Sequence, residues 1–270
     1  MPNEPLVILH IALTDNICSN IADLIGPKDP KKRELNENEY TNAIFYSITL
    51  CQKGLQQVDL GNSLIKSCVR LLMEEFPNLR LFHTLSPIPK FKEWLDSKLF
   101  ISSKSADFFH KLLDIKEIQV LSEYFQVESN NPSVLLDKIK SYLNSHQYKI
   151  DLKERLDEPL DTKKIIFNHL IEKILVRSCS YYLFYEKKNG YAFNSVGNFH
   201  IKNGAEIYRV NYAGDVSDKG IKSSYGLMVN YGYYLNDLEA NCVNYLIDKK
   251  IEISEIVEQQ LENFLINSKL

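Results

Sequence analysis

His200 stands in "NFHIKNGA", between an aromatic residue and an Asn-Gly pair, with an alternating segment directly after it. A histidine there could pack in the core, bind a metal or donate a proton. An imidazole titrates near pH 6.5, so it is the natural proton carrier at neutral pH. The surrounding Gly and Asn residues predict a loop, where functional groups concentrate. His10, His110, His146 and His169 have no second histidine or carboxylate at metal-ligand spacing, so no metal site is expected. From periodicity alone, core residue and proton donor are evenly matched for His200.

"HTLSPIP", His83 to Pro89, offers a hydroxyl. Ser86 ends a predicted strand, and the prolines after it stiffen the backbone and aim the side chain. Nothing like G-x-S-x-G surrounds it, which argues against a hydrolase nucleophile. The plainer reading is a capping serine at a strand exit, with His83 structural. "GLQQVDLGNS", Gly54 to Ser63, lies between a strand and a helix. Its glycines permit tight turns, and free N–H groups at a helix start attract anions such as a pyrophosphate. The spacing fits neither the Walker loop nor the dinucleotide fingerprint, and a simple strand-to-helix turn is the alternative.

The elements that would hold these groups read as follows. "EPLVILHIALT" and "AIFYSITLC" are predicted strands, with a short helix over "NICSNIADLIG" and a charged surface segment, "PKDPKKRELNENEY", between them. An amphipathic helix runs from Leu64 to Phe76, and "LRLFHTLSP" is a further strand closed by Pro87 and Pro89. Residues 91–186 are helical, ending in a long helix with Asp161 as N-cap and Asn189-Gly190 as its stop. "AEIYRVNY" and "GLMVNYGYYL" return to strands, and residues 254–270 form a C-terminal helix and tail. The fold class is α/β or α+β, with a helical segment inserted between strand blocks.

Composition narrows the function classes. Hydrophobic residues make up 44% and charged residues 25%, with a formal net charge of −3. A nucleic-acid binder would carry a basic excess. No apolar run approaches the roughly 20 residues that span a bilayer. The five cysteines are dispersed, without C-x-x-C spacing, which points to a reducing compartment and away from disulfides or zinc. The last residues, Ser268-Lys269-Leu270, have the form of a receptor-read peroxisomal address. The expected location is the peroxisome, with cytoplasm the alternative, and the expected partner is the peroxisomal import receptor. The acidic start, with no transit peptide, argues against a mitochondrial form.

Taken in order, "EPLVILHIALT", "AIFYSITLCQKGLQQVDLG", "EEFPNLRLFHTLSPIPKFKEWL", "YAFNSVGNFHIKNGAEIYRVNYAGDVS" and "GLMVNYGYYL" resemble the malonyl-CoA decarboxylase family. The resemblance implies a GNAT acyltransferase-like mixed sheet with flanking helices, and conversion of malonyl-CoA to acetyl-CoA and CO2 without metal or organic cofactor. By the same resemblance Gln56, Gln57, Val58, Asp59, Leu60, Gly61 and Asn62 hold the CoA pyrophosphate. Ser86 binds the malonyl group, His200 donates the proton, and Tyr233 lines the site. The family pattern has Gly and Glu where this chain has Gln57 and Asp59, and glycine in place of Lys90. The whole of 1–270 is then the catalytic domain, and family members typically carry a helical oligomerisation domain before it. A homo-oligomer is implied. Two alternatives on the same fold are a CoA-dependent acyltransferase and an inactive acyl-CoA-binding subunit.

Overall fold

The computed structural model describes residues 5–26, 35–51, 61–100, 104–128, 132–153 and 161–266. Two long strands open the chain, β1 (Val7–Thr14) and β2 (Asn42–Leu50), paired antiparallel, with a single turn of helix, α1 (Ala22–Ile25), in the connection. Only four residues of the expected "NICSNIADLIG" helix are helical; the segment before them is tied down by Asn20, which donates to the Ala213 carbonyl, and by Asn42, which donates to the Asn16 carbonyl. Helix α2 (Gly61–Glu75) leads to β3 (Leu81–Thr84), which runs parallel to β2, and then to β4 (Ser86–Pro87).

Six helices follow: α3 (Phe91–Phe100), α4 (Lys104–Leu112), α5 (Ile115–Phe125), α6 (Pro132–Leu143), α7 (His146–Lys153) and α8 (Thr162–Tyr185). Helix α8 buries Phe167, Leu170, Ile171, Ile174, Leu175, Ser178, Cys179 and Tyr182, an i, i+3, i+4 stripe. It ends at Tyr185, earlier than expected. Asn189 and Gly190 instead form the turn of a small hairpin, β5 (Lys187–Lys188) with β6 (Tyr191–Ala192), both with positive φ (54° and 83°). Two left-handed residues suit the two-residue turn of a twisted hairpin. Then follow α9 (Ser195–Lys202), β7 (Glu206–Asn211), α10 (Asp218–Ser224), β8 (Met228–Gly232), α11 (Leu238–Asp248) and α12 (Glu255–Ile266). Among the described residues, no helix is long and apolar enough to cross a membrane.

The result is a mixed six-stranded sheet flanked by helices, in the order β1-β2-β3-β8-β4, with β7 also on β8. Alternation along the strands sorts its two faces. Ala43, Phe45, Phe82, Val229 and Tyr231 join the main core, whereas Ile44, Leu85 and Met228 join a smaller cluster with Cys18. Every residue of β8 is buried, so its polar members need partners. Asn230 donates to the carbonyls of Cys18 (3.0 Å) and Thr84 (2.7 Å) and accepts from Asn211 (2.8 Å).

The seam between β3–β4 and β8 positions the site. His83 pairs with Gly232, and Ser86 with Val229, in one register. Between them the ladder is interrupted, and side chains take over: Asn230 reaches the Thr84 carbonyl, and the Thr84 hydroxyl accepts the Tyr231 N–H (3.1 Å).

Lys90, where the family pattern has glycine, takes φ 65° in the turn between Pro89 and α3, with its side chain exposed. A side chain in this left-handed region costs about 1–2 kcal/mol. Lys90→Gly therefore gains up to about 1 kcal/mol once the greater freedom of unfolded glycine is subtracted. A urea melt of the variant should show a raised midpoint; a lowered one would mean that the Lys90 side chain contributes a contact worth more than the strain.

Candidate active site

Ser86, His200 and Tyr233 come together from β4, α9 and the end of β8. The Ser86 Oγ lies 3.1 Å from His200 Nε2, and Tyr233 Oη lies 2.7 Å from His200 Nδ1. All three are buried, at 5%, 6% and 2% exposure. Such burial forbids unpaired charge and makes each hydrogen bond matter.

Local sequence explains how each arrives. His200 does not sit in a loop, as expected, but on α9. Asn194 caps this helix by accepting the Gly197 N–H (2.8 Å), and its amide also donates to the Pro89 carbonyl (3.0 Å). One asparagine thus starts the helix and ties it to the segment that carries Ser86. The helix ends at Asn203 and Gly204, which has φ 86°, and a Cβ there would lie 2.3 Å from the Leu238 carbonyl. The Asn-Gly pair read as a loop signal is the stop of the histidine's own helix, and its lack of side chain lets α11 approach. Tyr233 is fixed by its backbone N–H, which donates to the Phe82 carbonyl (2.8 Å).

Residues that the sequence reading passed over complete the site. Tyr231 lies under the imidazole, its ring 4.6 Å away and 25° from parallel. Its hydroxyl, buried, has no hydrogen-bond partner among the described residues and ends 2.9 Å from where a Cβ on residue 197 would sit. Only glycine fits there. Thr84 accepts a hydrogen bond from Ser86 (2.9 Å). Period-two spacing could have found both, since Thr84 and Tyr231 are two residues from Ser86 and Tyr233.

Desolvation sets the charge state. Burial lowers the His200 pKa to about 3, so the resting imidazole is neutral. Burial raises that of Tyr233, which stays a phenol, with Cys242 reinforcing the shift. His83 is structural: buried, it faces Asn42 Oδ1 at 3.2 Å, and burial, with Arg209 nearby, lowers its pKa to about 4. Of the residues expected to hold the CoA pyrophosphate, Gln56 to Leu60 lie outside the described residues, while Gly61 and Asn62 begin α2.

The family model for the malonyl-CoA decarboxylase C-terminal domain matches residues 1–269. The chain belongs to the malonyl-CoA decarboxylase family. It is 40% identical over 269 residues to the mitochondrial malonyl-CoA decarboxylase of Mus musculus, covering all of this chain and 50% of that protein. It is 39% identical over 271 residues to that of Anser anser anser, covering all of this chain and 49% of that protein. The crystal structure of malonyl-CoA decarboxylase from Agrobacterium vitis superposes with a TM-score of 0.69 at 30% identity, over 95% of this chain and 53% of that one. The chain spans about half the length of each of these relatives.

The family comparison corrects the expected location. Both relatives are named as mitochondrial proteins, which overturns the peroxisomal and cytoplasmic readings, the import-receptor partner and the argument against a mitochondrial form. A terminal tripeptide is an address read by a receptor and carries no constraint from the fold. Ser268-Lys269-Leu270 lie outside the described residues.

The buried histidines His83 and His200 make this fold acid-labile in a defined window. Above pH 6.5 they are neutral in the folded and unfolded chain alike, and no stability is lost. Below it the unfolded chain takes up protons that folded His83 and His200 refuse, down to about 4 and about 3 respectively. Stability should fall by about 1.4 kcal/mol per pH unit for each histidine between pH 6.5 and 4. Urea melts at pH 7, 5.5 and 4.5 measure this, and His83→Gln should remove about half the histidine slope. An unchanged slope in that variant would show that His83 titrates normally in the fold.

Proposed function

We propose that this chain decarboxylates malonyl-CoA to acetyl-CoA and CO2, with Ser86 holding the malonyl group and His200 supplying the proton. The observation that carries this reading is the buried hydrogen-bonded line from Tyr233 through His200 to Ser86. Membership of the family and the match to its C-terminal domain support it. On this reading residues 1–270 are the catalytic domain, and Gln56–Asn62 cradle the CoA pyrophosphate.

Loss of CO2 from the malonyl thioester leaves an electron pair on the α-carbon, delocalised into the thioester carbonyl as an enolate. The reaction consumes one proton, which must be delivered to that carbon. An apolar surrounding favours the step, because the charge of the carboxylate disperses as CO2 leaves. Resting His200 is neutral, so it holds no spare proton. A malonyl carboxylate brought beside it raises its pKa, since a nearby opposite charge favours the protonated imidazole. Binding of the carboxylate thus draws one proton from solvent onto His200, and that proton is the one the reaction consumes. Ser86, hydrogen-bonded to the same imidazole nitrogen, is placed to bind the carboxylate or the acyl oxygen. Tyr233 holds the other nitrogen and fixes the ring plane.

The test is mass spectrometry of malonyl-CoA incubated with the chain in D2O. Deuterated acetyl-CoA should form, and His200→Asn should lower turnover by about 10²- to 10⁴-fold while leaving the fold intact. Near-normal turnover in His200→Asn would remove the proposed donor. Free CoA released only on adding an amine would assign acyl transfer instead.

A further inference from the structure

The geometry points to Thr84 as a positioning residue that sets which nitrogen of His200 carries the proton. This rests on the proposed reading of Ser86 and His200, and concerns a residue that neither the resemblance nor the charge pattern marks.

Thr84 is fully buried and its hydroxyl lies at the end of the line. From Tyr233 to His200 the distance is 2.7 Å, from His200 to Ser86 3.1 Å, and from Ser86 to Thr84 2.9 Å. Protons along such a line must all point the same way, because Ser86 has a single hydroxyl proton. Either polarity leaves one terminal proton unspent, that of Thr84 or that of Tyr233. The lengths decide between them. A phenol is the strongest neutral donor here and a bare imidazole nitrogen the strongest acceptor, and they meet at the shortest contact, at Nδ1. The longer contact at Nε2 is the ordinary length of a neutral N–H donating to oxygen.

The polarity is therefore Tyr233 O–H to Nδ1, Nε2–H to Ser86, and Ser86 O–H to Thr84. Thr84 Oγ1 is held in place by the Tyr231 N–H that it takes across the gap in the sheet, and its second lone pair is free for Ser86. By accepting the Ser86 proton it turns the Ser86 lone pair toward the imidazole. Nε2, the nitrogen facing Ser86 and the malonyl group, then bears hydrogen in the resting state. Without Thr84 the Ser86 proton has one acceptor left among the described residues, Nε2 itself. The imidazole would switch to the Nδ1–H form, with Nε2 as a base rather than a donor.

The test combines 15N NMR of histidine-labelled chain with steady-state kinetics on malonyl-CoA. The His200 signals are identified by their loss in His200→Asn. Wild type should show the Nε2–H tautomer; Thr84→Val should show Nδ1–H, with kcat lowered by roughly 10- to 100-fold and KM within about twofold. Thr84→Ser, which keeps the hydroxyl, should restore both tautomer and rate. If Thr84→Val does not fold, Thr84→Cys serves, since a thiol is a far weaker acceptor. An Nδ1–H tautomer in wild type, or an unchanged tautomer in the folded variant, overturns the assignment. If wild type fails to decarboxylate while the tautomer switches as expected, the proposed function fails and the role of Thr84 stands.

Discussion

Polar groups that are cut off from water have to satisfy one another, and this constraint governs the site. Thr84, Ser86, His200 and Tyr233 are each less than a tenth exposed, and none carries a charge in the resting state. Each finds its partner in the next, so the spacing of the backbones that carry them is tightly bounded. A displacement of about half an ångström would carry the Ser86–His200 contact, at 3.1 Å, out of hydrogen-bond range.

The sheet meets that demand by a break in its own pairing. Strands β3–β4 and β8 keep one register from His83–Gly232 to Ser86–Val229, yet between those pairs the backbone groups are served by side chains. Asn230 binds the Thr84 carbonyl and the Thr84 hydroxyl takes the Tyr231 N–H. The same threonine that mends the gap therefore terminates the hydrogen-bonded line. From the other side, Asn194 holds the start of α9 against Pro89, so His200 and Ser86 are tied together within a few residues of where they meet. Structural satisfaction and site geometry are served by the same atoms.

Much of this was readable from residues, and the limits have physical causes. The strands β1, β2 and β3 and the helices α2, α8 and α12 follow from period and from breakers, since local propensity and burial agree there. The resemblance placed Ser86, His200 and Tyr233 in one site, and the structure brings them within hydrogen-bond distance. The helix under His200 was missed because "NFHIKNGA" carries its stop signal in view and its start signal, Asn194, four residues earlier. Asn189-Gly190 was read as a helix stop because the same pair makes a hairpin turn, and only the pairing of Lys188 with Tyr191 separates the two. The protonation state of His200 was not legible at all. It depends on desolvation by residues far apart in sequence, and no local pattern reports that.

A neutral resting site has a consequence for the order of events. On the proposed chemistry the reaction needs a proton, but a permanently charged imidazole buried here would be costly to hold without a partner anion. The malonyl carboxylate is that partner, and it is destroyed in the reaction. Once CO2 has left, the imidazolium faces an enolate, a stronger base than the carboxylate was, and proton transfer to carbon removes both charges together. The product thioester is uncharged at its reacting end, so nothing remains to hold a proton on His200. The site returns to a neutral, internally paired state. On the proposed chemistry, burial, which lowers the histidine's affinity for a proton, thereby makes protonation coincide with the presence of substrate.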